Sequence, residues 1–308
     1  MCLIKHFYKK NLLTRYDKDG IIPYLSNLDF DGLQKEEFSF VNSKGAELAC
    51  FKYHYNKYRD DKVIIFCHGI GPGHTAYIAE INELCRSGYL VITLDYMGCD
   101  QSKGDALPSI NEPTRDVVEL LNYLNLKEEI ILIGHSLGGY TALNVMSRRN
   151  DIKKAVIISG FISVRSELIH LINSKLIGNY LYKYECKLEK EYNDSLIMDY
   201  LKTTDDKLLF IHSKDDQLVP FNESTEVVMN LNNPNIDFLI EEGKKHNPNY
   251  SIEAIGYMNQ TFGMYNALIK NKTLKTLEDK QSFMADKSAY KMTIQDPKVI
   301  DRIIKHLS

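Results

Sequence analysis

Short apolar runs set the strongest constraint on how this chain can fold. They are too continuous for half-exposed strands and far too short to cross a membrane. They fall at 63–67, 90–94, 130–133, 155–158, 208–211 and 236–240. Most are separated by segments of helical periodicity, at 75–87, 112–125, 137–148 and 221–231. Unbroken Val/Ile/Leu runs suit strands covered on both faces, so the pattern predicts a parallel sheet with helices on each side. Ahead of it, 38–41 and 48–51 flank Lys44-Gly45 and predict an antiparallel pair. The fold class expected is α/β, with a mostly parallel eight-stranded sheet.

The alternation stops over residues 161–205. These carry Leu, Ile, Tyr, Lys and Glu at helical spacing and no strand-like run. After 236–240, residues 252–270 read as helix, 271–293 are polar and ambiguous, and Pro297 opens an amphipathic helix to Leu307. Residues 1–37 read as an irregular, charged leader with turn signals at Asp19-Gly20 and Asp31-Gly32. Asp17 and Asp19 faintly resemble the start of a calcium loop, but the glycine is misplaced and Glu is missing from the twelfth position. The expected organisation is one elaborated domain: leader 1–37, core 38–160 and 206–308, and a helical insertion at 161–205.

Composition narrows the function classes. Lys plus Arg total 38 against 41 Asp plus Glu, so bulk positive charge cannot drive binding to nucleic acid, and no such partner is expected. No apolar run approaches the roughly 20 residues of a membrane-spanning helix, and no signal-peptide core is visible. Lys5, Lys9, Lys10 and Arg15 make the leader basic, which favours an anionic surface, although a solvated or docked leader is the expectation. The six cysteines form no C-x-x-C pair and sit mostly in apolar segments, which fits core thiols in a cytoplasmic protein.

The chemistry concentrates in two glycine-rich stretches. Gly134-His135-Ser136-Leu137-Gly138 directly follows strand 130–133 and precedes helix 137–148. A nucleophile at the apex of such a turn has strained backbone angles and needs small neighbours. The helix amino terminus beneath Ser136 favours developing negative charge. The second stretch, Cys67-His68-Gly69-Ile70-Gly71-Pro72-Gly73-His74, follows strand 63–67. Its backbone N–H groups, Ile70 first and Gly71 next, could form an oxyanion hole with that of Leu137. It lacks the lysine of a phosphate-binding loop.

At this point the chain resembles the α/β-hydrolase superfamily, over roughly residues 38–255. The resemblance implies a chain order of Ser, acid, His. Asp215 and Asp216 both follow strand 208–211. Members commonly carry the acid four residues before a proline such as Pro220, which selects Asp216 and leaves Asp215 as a solvated turn residue. Ser159-Gly160, after the preceding strand, offers no carboxylate. A histidine is implied after the last strand, where His246 stands; His306, near the end of the last helix, is assigned to the surface. Asp95-Tyr96-Met97-Gly98-Cys99-Asp100-Gln101-Ser102 resembles the family's D-x-x-G-x-G-x-S loop but departs from it at Met97 and Asp100. Asp95 is read as a turn-stabilising carboxylate.

The resemblance implies a serine hydrolase of the carboxylesterase, lipase or thioesterase kind, with Ser136 as nucleophile, His246 as base, Asp216 orienting it, and no cofactor. Residues 161–205 take the place of a helical cap, with Phe161 and, from the glycine-rich loop, His74 as candidate pocket residues. His68 reads as a hydrogen-bonded loop residue and His135 as a packed neighbour of the nucleophile; with no third ligand beside His68 and His74, no metal is expected. The apolar cap composition points to a small-molecule acyl ester as substrate. A peptidase acting on small peptides would need an acidic pocket, which Glu167, Glu185, Glu189 or Glu191 could supply. A dehalogenase or epoxide hydrolase would use Asp where Ser136 stands. A catalytically silent binding protein is the alternative outside enzymes.

Overall fold

The computed structural model describes residues 2–308, with the side chain of Cys2 outside the description. The chain opens on α1 (Cys2–Asn11) and enters the sheet through β1 (Gln34–Val41) and β2 (Glu47–His54). Next come β3 (Lys62–Cys67), α2 (Ile78–Arg86), β4 (Leu90–Leu94), α3 (Glu112–Leu124), β5 (Glu129–His135), α4 (Leu137–Met146) and β6 (Lys154–Ile158). Helices α5 (Val164–Ile172), α6 (Lys175–Leu188) and α7 (Ile197–Thr203) precede β7 (Lys207–Ser213). Helix α8 (Thr225–Met229), β8 (Ile236–Glu241), α9 (Ile252–Lys270), α10 (Leu277–Met284), α11 (Ala289–Met292) and α12 (Pro297–Leu307) complete it.

The strands form one eight-stranded sheet in the order β1-β2-β4-β3-β5-β6-β7-β8. The pairs β1–β2 and β2–β4 are antiparallel and the rest are parallel. Successive side chains of a strand point to opposite faces. Ile65, Leu132, Ile157 and Phe210 accordingly pack with α3 and α4, while Ile64, Ile133, Val156 and Ile211 pack with α2 and α12. Each such side chain contributes about 1.5–3 kcal/mol by leaving water. The carboxyl ends of the parallel strands meet at one edge, where Cys67 pairs with Gly134 and His135 with Ile158.

The termini differ from the sequence reading. The leader is irregular only over residues 12–33, apart from a short turn at Asn27–Asp29: it opens on α1, and β1 begins inside it at Gln34. Tertiary partners decide this. The Tyr8 hydroxyl donates to buried Glu185 at 2.7 Å, and the other Glu185 oxygen accepts from the Ile110 N–H at 2.9 Å. Tyr16 then pairs with the 98–100 loop, its N–H on Gly98 and its carbonyl accepting from Asp100. Residues 271–293 hold the short helices α10 and α11, capped by the side chains of Thr276 and Ser288. Helix α8 is shorter than 221–231, because Phe221–Glu223 is a separate 3-10 turn and Ser224 breaks the helical path.

The tail is sewn to the core through a buried carboxyl. Asn249 donates from its amide to Glu80 Oε1 at 3.1 Å and to Gln295 Oε1 at 2.9 Å. Burial pushes the Glu80 carboxyl up to about 7, against the hydrogen bonds that it accepts. A carboxyl raised on folding holds its proton more tightly in the native state. Its stabilising contribution is full below the unfolded value near 4.5 and is lost as pH rises through about 7. We predict that Glu80→Gln flattens the fall in stability between pH 5 and pH 8 by on the order of 2 kcal/mol. Urea denaturation across that range measures it, and an unchanged slope refutes it.

Candidate active site

The site is built on the turn between β5 and α4. Ser136 has φ 57° and ψ −120°, a backbone conformation that costs a residue with a side chain on the order of 1–3 kcal/mol. Its N–H donates to Ile158 O at 2.9 Å, and its carbonyl accepts from Tyr140 N at 3.1 Å, so both neighbours hold the strained residue in place. The flanking glycines supply clearance. A Cβ on Gly134 would collide with the Gly138 carbonyl, and one on Gly138 with the backbone of Cys67 and His68.

His246 stands on the loop after β8. Its Nδ1 donates to Asp216 Oδ2 at 2.7 Å, which leaves Nε2 facing away from the carboxylate. Asp216 is buried and strongly held. Its other oxygen accepts from the N–H groups of Leu218 and Val219 at 2.9 and 3.1 Å. His212 Nε2 lies 3.2 Å from Oδ2 and 3.0 Å from the Val219 carbonyl. Both neighbours are acceptors, so that nitrogen carries a proton, and Nδ1 lies 2.7 Å from Thr225 Oγ1. Burial raises the Asp216 carboxyl, but the bonds from His212, His246 and Val219 outweigh it and hold it well below the usual carboxylate range.

Asp215 does not reach His246. Its Oδ1 accepts from Ser213 Oγ at 2.6 Å and from the Gly243 and Lys245 N–H groups at 2.9 and 3.4 Å. It is an exposed turn residue, as expected, and it also clamps the loop that carries His246. Lys244 secures that loop from the other side. Its buried ammonium meets Asp296 Oδ2 at 2.6 Å, Glu241 Oε2 at 2.9 Å and Pro248 O at 3.1 Å.

Ser136 and His246 line one cavity of about 240 Å³. Ile70, Leu137 and Phe161 line it too, with Leu168 and Leu171 of α5 and Leu12 of the leader. Leu137 opens α4, where backbone N–H groups have no partner within the helix. The Gly69 N–H is taken, donating to Tyr77 Oη at 3.0 Å. Phe161 stacks on Tyr140 with ring centres 4.5 Å apart. Glu167 is the one carboxyl in this wall. Burial, with Asp216 and Glu223 nearby, pushes it up to about 8.

His74 departs from expectation: it does not line the cavity. It is buried behind the loop, its Nδ1 2.8 Å from Asp95 Oδ1 and its Nε2 3.0 Å from Tyr53 Oη, and it stacks on Phe51. Asp95 also accepts from the His74 and Gln101 N–H groups, so it shapes two loops at once. His68 is buried, its Nδ1 on Gly69 O at 2.7 Å, and burial lowers it to about 4. His306 is half-buried, with Nε2 3.3 Å from Lys207 O.

Two contributors, His212 and Tyr77, escaped the sequence reading, and His135 does more than pack beside the nucleophile. His212 ends β7 four residues before Asp216, a spacing that could have flagged it. Tyr77 accepts from Gly69 and meets His135 Nδ1 at 3.0 Å. His135 Nε2 in turn donates to the His246 carbonyl at 2.8 Å. Burial lowers His135 to about 3, so it stays neutral with its proton on Nε2. One chain of hydrogen bonds thus joins the 69–70 loop, the residue beside Ser136 and the backbone of His246.

Comparisons with known proteins agree on the architecture. A family model described as serine aminopeptidase, S33, matches residues 58–206. The mitochondrial palmitoyl-protein thioesterase ABHD10 of Rattus norvegicus is 24% identical over 234 residues, 69% of this chain and 77% of that protein. Lysophosphatidylserine lipase ABHD12 of Gallus gallus is 27% identical over 176 residues, 52% of this chain and 44% of that protein. Among solved structures, an esterase of Pyrococcus furiosus has a TM-score of 0.58 at 18% identity, covering 84% of this chain and 98% of that one. Alpha/beta hydrolase domain-containing protein 10 from mouse has a TM-score of 0.53 at 17% identity, covering 89% and 100%. At these identities the likeness to solved structures speaks for the fold.

The Lys244 anchor makes a prediction. Lys244→Met leaves Glu241 and Asp296 facing each other without their shared cation, at a cost of about 2–4 kcal/mol. Amide exchange should quicken at 243–249 while the β5–α4 turn keeps its protection. Exchange that quickens equally across the whole sheet would contradict a local anchor.

Proposed function

The chain belongs to the α/β-hydrolase superfamily of serine hydrolases, and from that premise we propose that it cleaves a carboxylic ester or thioester through an acyl-enzyme on Ser136. The observation that carries the reading is the 2.7 Å bond from His246 Nδ1 to Asp216, with His246 and Ser136 on one cavity wall.

The chemistry follows from these groups. Nε2 of His246 takes the Ser136 hydroxyl proton as Oγ attacks the substrate carbonyl carbon. Asp216 keeps the Nδ1–H tautomer and stabilises the imidazolium. The tetrahedral oxyanion accepts from the N–H groups of Ile70 and Leu137 and is favoured by the amino terminus of α4. As the intermediate collapses, the alkoxide or thiolate leaves with the proton from His246. Water, deprotonated by the same nitrogen, then attacks the acyl carbon, and the acid departs as Ser136 Oγ regains its proton. Helices α5–α7 act as the cap, and Phe161, Leu168 and Leu171 favour an apolar acyl or alcohol part. A cavity of about 240 Å³ suits a small ester.

A second reading, a peptidase for small peptides, is supported by one residue. Glu167 places a carboxyl in the same wall, where a substrate amine could ionise it. An ester panel run beside aminoacyl amides separates the two. Activity on esters that survives Glu167→Gln favours the esterase; amide cleavage that the same variant abolishes favours the peptidase.

Labelling by a fluorophosphonate is expected for the native protein and absent for Ser136→Ala; equal labelling of both sinks the mechanism. Asp216→Asn should lower kcat by about 10³–10⁴. Asp215→Asn, which touches Ser213 and the loop backbone but not His246, should cost less than tenfold in kcat. A reversed order in stopped-flow ester hydrolysis would assign the orienting role to Asp215.

A further inference from the structure

The mouth of the cavity continues into a surface that the reaction does not use. Leu12, just beyond α1, lines the cavity together with Leu171 of α5. Helix α1 lies along α6, with Tyr8 bonded to Glu185 and the Lys5 ammonium 4.5 Å from the Tyr184 ring centre. That docking consumes one face of α1. The opposite face presents Leu3 and Phe7 one turn apart, 83% and 64% exposed. Helix α6 presents Leu176, 85% exposed. Ile70, Leu171 and Leu218, at the mouth itself, are also exposed. Single exposed apolar residues are ordinary, but these lie at the opening or on two touching helices, one of which leads into it through Leu12.

Charge gathers in the same place. Helix α1 carries Lys5, Lys9 and Lys10, and α6 carries Lys175, Lys183 and Lys187. The only acid in either helix is Glu185, buried beneath Tyr8. The whole chain is net −3, so this cationic face opposes the overall charge. A nucleic acid would engage the lysines and leave Leu3, Phe7 and Leu176 in water. An anionic lipid surface engages both sets: apolar side chains enter the acyl boundary while ammonium groups meet headgroup phosphates.

We propose that α1 and α6 form a peripheral docking face for an anionic phospholipid bilayer, which seats the cavity mouth at the lipid surface. No element spans the membrane in this arrangement; among the described residues no helix is long and apolar enough to do so. The proposal stands apart from the hydrolase reading, because binding is measured without turnover.

Flotation of the full chain with vesicles is the test. Binding is expected to phosphatidylcholine vesicles containing 30 mol% phosphatidylglycerol and to be at least tenfold weaker with phosphatidylcholine alone. The double variant Leu3→Ser/Phe7→Ser should lower partition by more than about tenfold. The triple variant Lys10→Gln/Lys183→Gln/Lys187→Gln should lower it by about fivefold per lysine. Both sets are exposed, so circular dichroism and soluble-ester hydrolysis should match the parent protein. Absence of binding, equal binding to both vesicles, or full binding by the Leu3/Phe7 double variant would overturn the proposal. So would RNA that binds the parent and the double variant equally and displaces the vesicles, which would mark a plain polyanion site.

Discussion

The rest of the structure depends on the strained turn at Ser136. A strand that ends and a helix that begins within one residue leave no room for side chains on either side. The resulting contact is backbone against backbone: Gly138 lies against the Cys67 carbonyl and the His68 carbonyl oxygen. This contact seats the 67–74 loop on the amino end of α4, so one constraint positions Ser136 and brings Ile70 and Leu137 to the same cavity. The cost of the strain is met by what surrounds it. All ten residues of α4 are buried, and the Ser136 N–H and carbonyl are both engaged. A larger residue at either glycine would have to move the sheet and not merely a side chain.

Around that turn the protein uses neutral imidazoles as fixed hydrogen-bonding spacers. His68 and His135 are both held uncharged by burial, and each engages at least one backbone group outside the regular ladders. His135 links the Tyr77 hydroxyl to the His246 carbonyl, and His68 links the Gly69 carbonyl to the Tyr96 N–H. A buried ammonium or guanidinium in these places would add charge beside His246 and disturb its protonation. A neutral ring offers one donor and one acceptor in fixed directions and adds no net charge. The carboxylates divide in the opposite sense. Asp216 is held ionised by several donors, whereas Glu167, with few, keeps its proton into the neutral range.

What was legible in the sequence follows from how local each cause is. The buried strands and the glycine turn announce themselves within a few residues, since continuous apolar runs and small residues are direct demands of the fold. Which of Asp215 and Asp216 faces His246 was legible only through the position of Pro220, because the two differ in tertiary partners alone. His74 was misread as a wall residue: it sits in the right loop, but Asp95, 21 residues away, turns it inward. Helix α1 was invisible for the same kind of reason. Its partner, Glu185, is 177 residues away, and a short lysine-rich segment has little helical signal without it.

The terminal segments show why this chain is longer than its sheet requires. Loops at a sheet edge are the least constrained parts of an α/β fold, and here they carry Ser136, Asp216 and His246. The leader stiffens one of them. Asp100 has φ 34°, and the leader holds it through the Tyr16 pairing and an ion pair from Lys18 at 3.1 Å. The tail stiffens another, through Asp296 on Lys244 and the Asp296 N–H on Asn249 O at 2.7 Å. Added segments therefore replace local rigidity that the loops lack. A deletion of the tail would act on the site from a distance, through the loop that Asp296 supports, whereas loss of the leader would also take Leu12 out of the cavity wall.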